Sequence, residues 1–184
     1  APRDLEEALA KDDLIVRLKG FEESYEHLSH KTLGILSWAY DHGYSHVLKV
    51  DDDVFLQLDM FVSWYKSLPS PHRVYAGEFV REAVVNTNPK SKWYMSDQYH
   101  KPVFPTYAFG PCYFVGSDIV TYIATHRKNL PLFRVEDAGL SIWLEEARAN
   151  ASTRELLDHV ELVDMDNMYY QAECWNPTAI FTTP

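Results

Sequence analysis

Cysteine is scarce in this chain, with only Cys112 and Cys174 among 184 residues. That excludes a disulfide-built scaffold and leaves open either one bridge or two buried thiols. Positive charge is also short, with 17 Lys and Arg against 27 Asp and Glu, a formal net charge of −10. Such a balance argues against nucleic acid or an anionic membrane surface as a partner, because neutralising phosphates takes Lys and Arg in excess. A nucleotide ligand stays possible, since a divalent cation can neutralise a diphosphate. No apolar run approaches the roughly 20 residues that span a bilayer. There is no signal-peptide pattern and no initiator Met, and Ala1 reads as the interior of a domain. No glycine-rich phosphate loop, internal repeat or low-complexity tract occurs. The 8 His show no metal-ligand spacing, and His27 with His30 reads as a solvated helix face.

What is present describes one globular domain over residues 1–184. The chain is 46% hydrophobic and 14% aromatic, enough for a single core. Leu14, Ile15 and Val16 open a short apolar strand towards Gly20. From Ser24 to His42 the pattern is helical, with Leu28, Leu36, Ala39 and Tyr40 on one side and Gly43 as the stop. His46–Val50 is a second apolar strand that runs into Asp51-Asp52-Asp53. Asp59 can cap a helix carrying Met60, Trp64 and Leu68, ended by Pro69. Alternating strands and helices predict an α/β sheet with parallel crossovers. Further on, Arg73–Val80 reads as a strand and 86–92 as a loop. Tyr107–Gly116 is apolar but interrupted at Gly110-Pro111. Helices are predicted from Ser117 to Arg127 and from Glu136 to Ala149, then a late strand over Glu161–Asp164.

The three adjacent aspartates carry the chemistry. Like charges so close are costly unless they are solvated or bound to a cation. They follow an apolar strand, and ligands of open α/β sheets bind beyond the carboxyl ends of strands. Extended geometry would point Asp51 and Asp53 to one side and Asp52 to the other. Carboxylate oxygens suit Mg²⁺ or Mn²⁺ better than zinc. A solvated acidic turn or a helix cap is the competing reading, and phosphoryl transfer on paired aspartates is another. Asn150-Ala151-Ser152 is an N-glycosylation acceptor pattern.

Four segments resemble one family. The run from Phe21 to Thr32 is similar to the "D-S-Y-x-N-L-T-x-K-T" segment of β-1,3-galactosyltransferases. Val47-Leu48-Lys49-Val50-Asp51-Asp52-Asp53-Val54-Phe55 resembles that family's metal-binding segment. Lys92-Trp93-Tyr94 with Phe104–Gly110 looks like its "W-Y … Y-P-x-Y-x-x-G" stretch, and Glu136-Asp137-Ala138 resembles its "E-D-V". These fall in family order between about residues 12 and 145. The family is the family-31 inverting glycosyltransferases, which includes galactosyl-, N-acetylglucosaminyl- and fringe-type enzymes. The resemblance implies a GT-A-type nucleotide-diphospho-sugar transferase fold, with a mixed central sheet flanked by helices and the family's early strands lying before this chain. It implies a UDP-sugar donor, Mn²⁺ (or Mg²⁺), a glycan or glycoprotein acceptor and a β-1,3 linkage. Asp53 would be the principal metal ligand, with Asp51 and Asp52 on metal, ribose or donor sugar and Asp137 as the catalytic base. A helix start at Asp137 would favour the ionised form that a base needs.

The resemblance also implies a type II membrane protein of the Golgi lumen, anchored outside this chain. Ser141 stands where the family usually has glycine, with Gly139 two places earlier. The family's late His ligand is not found after Cys174, and His159 is the nearest upstream histidine. Aromatic residues crowd the stretch from Trp93 to Phe114. Most belong in a core, while Trp93 and Tyr107 are the candidates for sugar stacking, and Gly110 would let the backbone approach a sugar. Glu136 joins them as a candidate substrate contact. The alternative is a catalytically degenerate sugar- or nucleotide-binding domain of the same fold; a phosphate-acting hydrolase and an incomplete structural fragment are further rivals.

Overall fold

A computed structural model describes residues 16–18, 20, 22, 24–165 and 167–171. The fold is mixed α/β. Among the described residues six strands form two sheets: β1 (Val47–Val50), β2 (Val54–Leu56), β3 (Val74–Val80), β4 (Tyr107–Val115), β5 (Glu161–Asp164) and β6 (Tyr169–Gln171). The helices are α1 (Leu28–Asp41), α2 (Leu58–Ser67), α3 (Ser117–His126), α4 (Glu136–Ala149) and the short α5 (Arg154–Leu157). The main sheet has the order β1-β4-β3-β5, and β2 pairs with β6 beside it.

The parallel crossovers expected from the alternation give way to the mixed sheet flanked by helices that the family resemblance implied. β4 runs antiparallel to both β1 and β3, and β5 is parallel to β3. Consequently β1, β3 and β5 all point the same way, and Asp51 and Asp164 emerge at one edge of the sheet. The expected interruption of β4 at Gly110-Pro111 is absorbed in place. Between the pairs Gly77↔Tyr113 and Phe79↔Ala108 the register shifts, so β4 bulges over residues 109–112. Proline has no N–H to give to a ladder, and a bulge is where a sheet tolerates it.

Strand alternation sorts side chains onto two faces. Val47, Tyr75, Tyr113 and Val115 face α1, α3 and α4 in the larger core. Leu48, Val74, Ala76, Cys112 and Phe114 face the other way, against Phe61, Trp64 and Tyr65 of α2. Helix α1 buries Ser29, Thr32, Leu36 and Ala39, whose three- and four-residue spacing is one helical stripe. Tyr40, expected on that stripe, is 41% exposed, one residue past Ala39 and rotated off it. Gly43 follows with φ 80°, the left-handed stop that glycine accepts most easily. In α2 the N-cap is Gln57 rather than Asp59, and Met60 faces outward at 45% exposure. Helix α4 spans the predicted residues and buries Leu140, Trp143, Leu144 and Ala147. Of the strand predicted at Leu14, the first two residues lie outside those described, and 16–18 have no regular structure.

Candidate active site

The site lies where the end of β1, the bulge of β4 and the first turn of α4 meet. Strand alternation places Lys49 on the same face as Val47, cross-strand from Tyr113. Its ammonium sits 5.6 Å from the Tyr113 ring centroid. From there Nζ donates to Asp51 Oδ1 at 2.5 Å and to the carbonyl oxygen of Gly110. The Asp51 N–H in turn donates to the carbonyl of Pro111 at 2.8 Å. The bulge thus holds the strand end that carries the carboxylates. Asp52 and Asp53 follow in an exposed turn closed by Val54 N–H donating to the Asp51 carbonyl at 3.2 Å.

Gly110 reaches the other carboxylate. Its N–H donates to Asp137 Oδ2 at 3.0 Å. A Cβ at position 110 would lie 3.2 Å from that same oxygen, so glycine is what allows the approach. The expectation was a glycine making room for sugar; the group it makes room for here is Asp137. The Ala138 N–H donates to Asp137 Oδ1 at 2.8 Å. Burial raises the Asp137 carboxyl above the usual carboxylate range, and the N–H groups of Ala138 and Gly110 offset this only in part. The helix-start effect expected to favour the ionised form is therefore outweighed by desolvation. A carboxylate held upward in this way is a stronger proton acceptor than an exposed one.

Glu136 was expected to touch substrate. It is 8% exposed, and its Oε1 accepts from Thr32 Oγ1 at 2.6 Å and from the Tyr113 hydroxyl at 2.5 Å. Those bonds tie α4 to α1 and β4, so Glu136 holds the frame behind Asp137. Burial raises its carboxyl too, against the pull of Lys49 and the two hydroxyls.

Tyr107 is half-buried, and its phenol is pushed up to about 12 by burial and by the nearby Asp137 charge. Trp93 is 51% exposed, with the Lys92 ammonium 4.5 Å from its ring centroid and 5.2 Å from that of Tyr25. The Tyr25 phenol is raised by burial and also feels Asp137. Beside Tyr25 lies a groove of about 490 Å³ lined also by Glu26, Ser91, Lys92, Tyr94 and Arg134.

The structure therefore brings Asp51, Gly110, Asp137 and Tyr107 together, with Glu136 behind. Asn150 is not among them. It ends α4, thirteen residues on from Asp137, about 20 Å at the helical rise. There it is exposed, and its Oδ1 accepts from the Ser152 N–H at 3.0 Å and the Ser152 hydroxyl at 2.8 Å. His159 precedes β5 and lies at the opposite edge of the sheet from Asp51. Gly139 packs on Phe133, where a Cβ would meet the phenylalanine Cβ at 3.0 Å. Ser141 is buried beside the Tyr75 hydroxyl. Burial raises the Cys112 thiol to about 11, and Cys174 lies outside the described residues.

Sequence reasoning missed Lys49, Thr32 and Tyr113. A lysine inside an apolar strand, two residues before Asp51 and so on its face, was a usable signal. Thr32 and Tyr113 carried none, because their partner is far away in the chain.

A divalent metal can be tested against these residues by donor chemistry. Among the described residues no group of three or more His, Cys, Asp or Glu converges on one point. Mg²⁺-type sites commonly take one or two carboxylates and complete their shell with substrate phosphates and water. The oxygen donors of Asp51 and Asp53 fit that kind of site.

Relatives bear on the same residues. Similar proteins include beta-1,3-galactosyltransferase GALT1 of Arabidopsis thaliana, 30% identical over 135 residues, which are 71% of this chain and 21% of that protein. Beta-1,3-galactosyltransferase 6 of Mus musculus is 32% identical over 147 residues, covering 77% of this chain and 43% of its own. The mouse acetylgalactosaminyl-O-glycosyl-glycoprotein beta-1,3-N-acetylglucosaminyltransferase is 24% identical over 161 residues, covering 82% and 41%. The chain thus spans less than half the length of each. Residues 4–155 match the family described as Galactosyltransferase, a stretch that takes in the aspartate row, the Trp93 segment, Gly110 and the Glu136-Asp137 pair. The chain belongs to the galactosyltransferase family.

Proposed function

We propose that this chain is the catalytic part of an inverting β-1,3-glycosyltransferase of GT-A fold, which moves galactose or N-acetylglucosamine from a UDP-sugar to a glycan hydroxyl. The observation that carries this reading is the joining of two carboxylate groups through one glycine. Gly110 gives its N–H to Asp137 and its carbonyl to Lys49, which holds Asp51. The acceptor oxygen would attack the anomeric carbon while the bond from that carbon to the UDP oxygen breaks. UDP would leave with the electron pair, and Asp137 would take the acceptor proton. Its raised proton affinity suits that task. Asp53 and Asp51 would hold Mn²⁺ or Mg²⁺, which supplies charge stabilisation for the diphosphate when bound. Asp52 would contact ribose or donor sugar. The groove lined by Tyr25 and Tyr94 would receive the acceptor, with aromatic faces against sugar C–H faces.

Among the described residues no helix is long and apolar enough to cross a membrane. We propose residence in the Golgi lumen and a glycan on Asn150, whose loss in Asn150→Gln would remove an endoglycosidase-sensitive mass. The central test is calorimetric titration of UDP with and without Mn²⁺, followed by a transfer assay over several UDP-sugars. Metal-dependent UDP binding with sugar transfer is expected. Binding without transfer to any acceptor would instead describe a degenerate sugar-nucleotide-binding domain.

A further inference from the structure

Lys49 takes no proton and holds no substrate in the chemistry just described, yet its ammonium bonds both the aspartate row and the glycine that holds Asp137. Its side chain is 15% exposed, and its ammonium lies between the Asp51 carboxylate, the Gly110 carbonyl and the Tyr113 ring. A buried ammonium is tolerated only where it is paired and hydrogen-bonded. Here the pairing is asymmetric in a useful way. One bond goes to the carboxylate row at the end of β1. The other goes to the peptide whose glycine N–H holds Asp137. Lys49 is also near enough to Glu136 and Asp137 for its charge to favour their ionised forms. Residues 109–112 of β4 leave the ladder to β3, so on that side they are held by their contacts with β1 and Asp137.

Resting on the transferase reading, we propose that Lys49 is a positioning residue: it pins the β4 bulge to the end of β1 and thereby fixes the Asp137 carboxylate relative to the aspartate row. An ammonium serving only as a counter-ion for Asp51 would not need the Gly110 carbonyl. Removing it would then raise the Asp137 midpoint through lost charge alone and leave the Gly110 N–H bond to Asp137 as it is.

The test compares the full-length wild type with Lys49→Met and Lys49→Arg in two measurements. The first is carboxyl ¹³C NMR of the unliganded protein, with the Asp137 signal assigned by its loss in Asp137→Asn. Lys49→Met is expected to move that signal at a pH where Asp137 is fully ionised, together with the Gly110 amide signal in ¹H–¹⁵N NMR, and Lys49→Arg to restore both. A Gly110 amide unchanged in Lys49→Met, with Asp137 altered only in its midpoint or not at all, overturns the proposal, whatever the protein transfers. The second is steady-state transfer. Lys49→Met is expected to lower kcat by about tenfold or more with donor KM within about threefold, because a small misplacement of a reacting group costs rate rather than binding. A wild-type kcat in Lys49→Met also overturns the proposal. Wild-type protein that transfers no sugar defeats the transferase reading, and the NMR measurement then decides the role of Lys49 alone. Should Lys49→Met not fold, Lys49→Gln replaces it with the same expectations.

Discussion

The two carboxylate groups of the site are built in opposite ways. Asp51, Asp52 and Asp53 stand at a strand end, half-buried or exposed, with a lysine on the first. Glu136 and Asp137 open a helix in the interior, wired to Thr32, Tyr113 and Gly110. The first group faces solvent, where an arriving cation can reach it. The second is shaped by its surroundings, and burial raises both of its carboxyls. A donor carrying phosphates and a divalent ion needs the first kind of site. Proton transfer needs the second, where affinity for a proton is set by the protein.

The sharpest way to break this comparison is Asp137→Asn. An amide cannot take the acceptor proton, so kcat should fall by about a hundredfold to ten-thousandfold. UDP affinity measured by calorimetry should stay within about threefold, because the donor side is untouched. Equal losses of transfer and of UDP binding would show that the two groups are not separate. Asp53→Ala should do the reverse. Metal-dependent UDP affinity should drop by about tenfold to a hundredfold, the range found when even the outer support of a metal site is removed. The Tm of the metal-free protein should hardly move, since Asp53 is exposed.

Gly110 stands between the groups and gives the next effect in size. Gly110→Ala places a methyl 3.2 Å from Asp137 Oδ2, inside ordinary contact distance. Either the carboxylate or the bulge must shift by a few tenths of an ångström. A fall in kcat of about tenfold is expected, with a stability loss of about 1 kcal/mol by denaturant titration. An unchanged kcat would mean that the carboxylate has room the geometry does not display.

These same residues mark what could be read from sequence. The apolar strand into three aspartates and the helix from Glu136 to Ala149 were legible, because period-2 and period-3.6 patterns report local structure directly. Gly110 was singled out as well, for a different neighbour. The antiparallel insertion of β4 between β1 and β3 was not legible, since strand pairing depends on contacts across many residues. Nor was the burial of Glu136. Adjacent acidic residues at a helix start look alike in sequence, and only the hydroxyls of Thr32 and Tyr113 distinguish the inward one. The upward shift of Asp137 escaped for the same reason: a helix start is visible in the residues, and desolvation is not.

The smallest expected effect concerns that inward carboxylate. Burial raises the Glu136 carboxyl above its unfolded value, and Lys49, Thr32 and Tyr113 pull it back incompletely. A group raised on folding stabilises the protein below its unfolded value and loses that contribution as pH rises through its folded value. Glu136→Gln keeps an oxygen that can accept from Thr32 and Tyr113 and has no proton to lose. Its stability relative to wild type should therefore improve from about pH 4 to about pH 8, as measured by urea titration at each pH. Asp137 is raised in the same direction, so the stability of Glu136→Gln itself should still fall as pH rises, and fall less in the double variant with Asp137→Asn. A relative stability that instead worsens with pH would mean that the attraction of Lys49 for the ionised carboxylate exceeds the desolvation cost. The interior pair would then be held by charge, as the row at Asp51 is, and the contrast between the two groups would be lost.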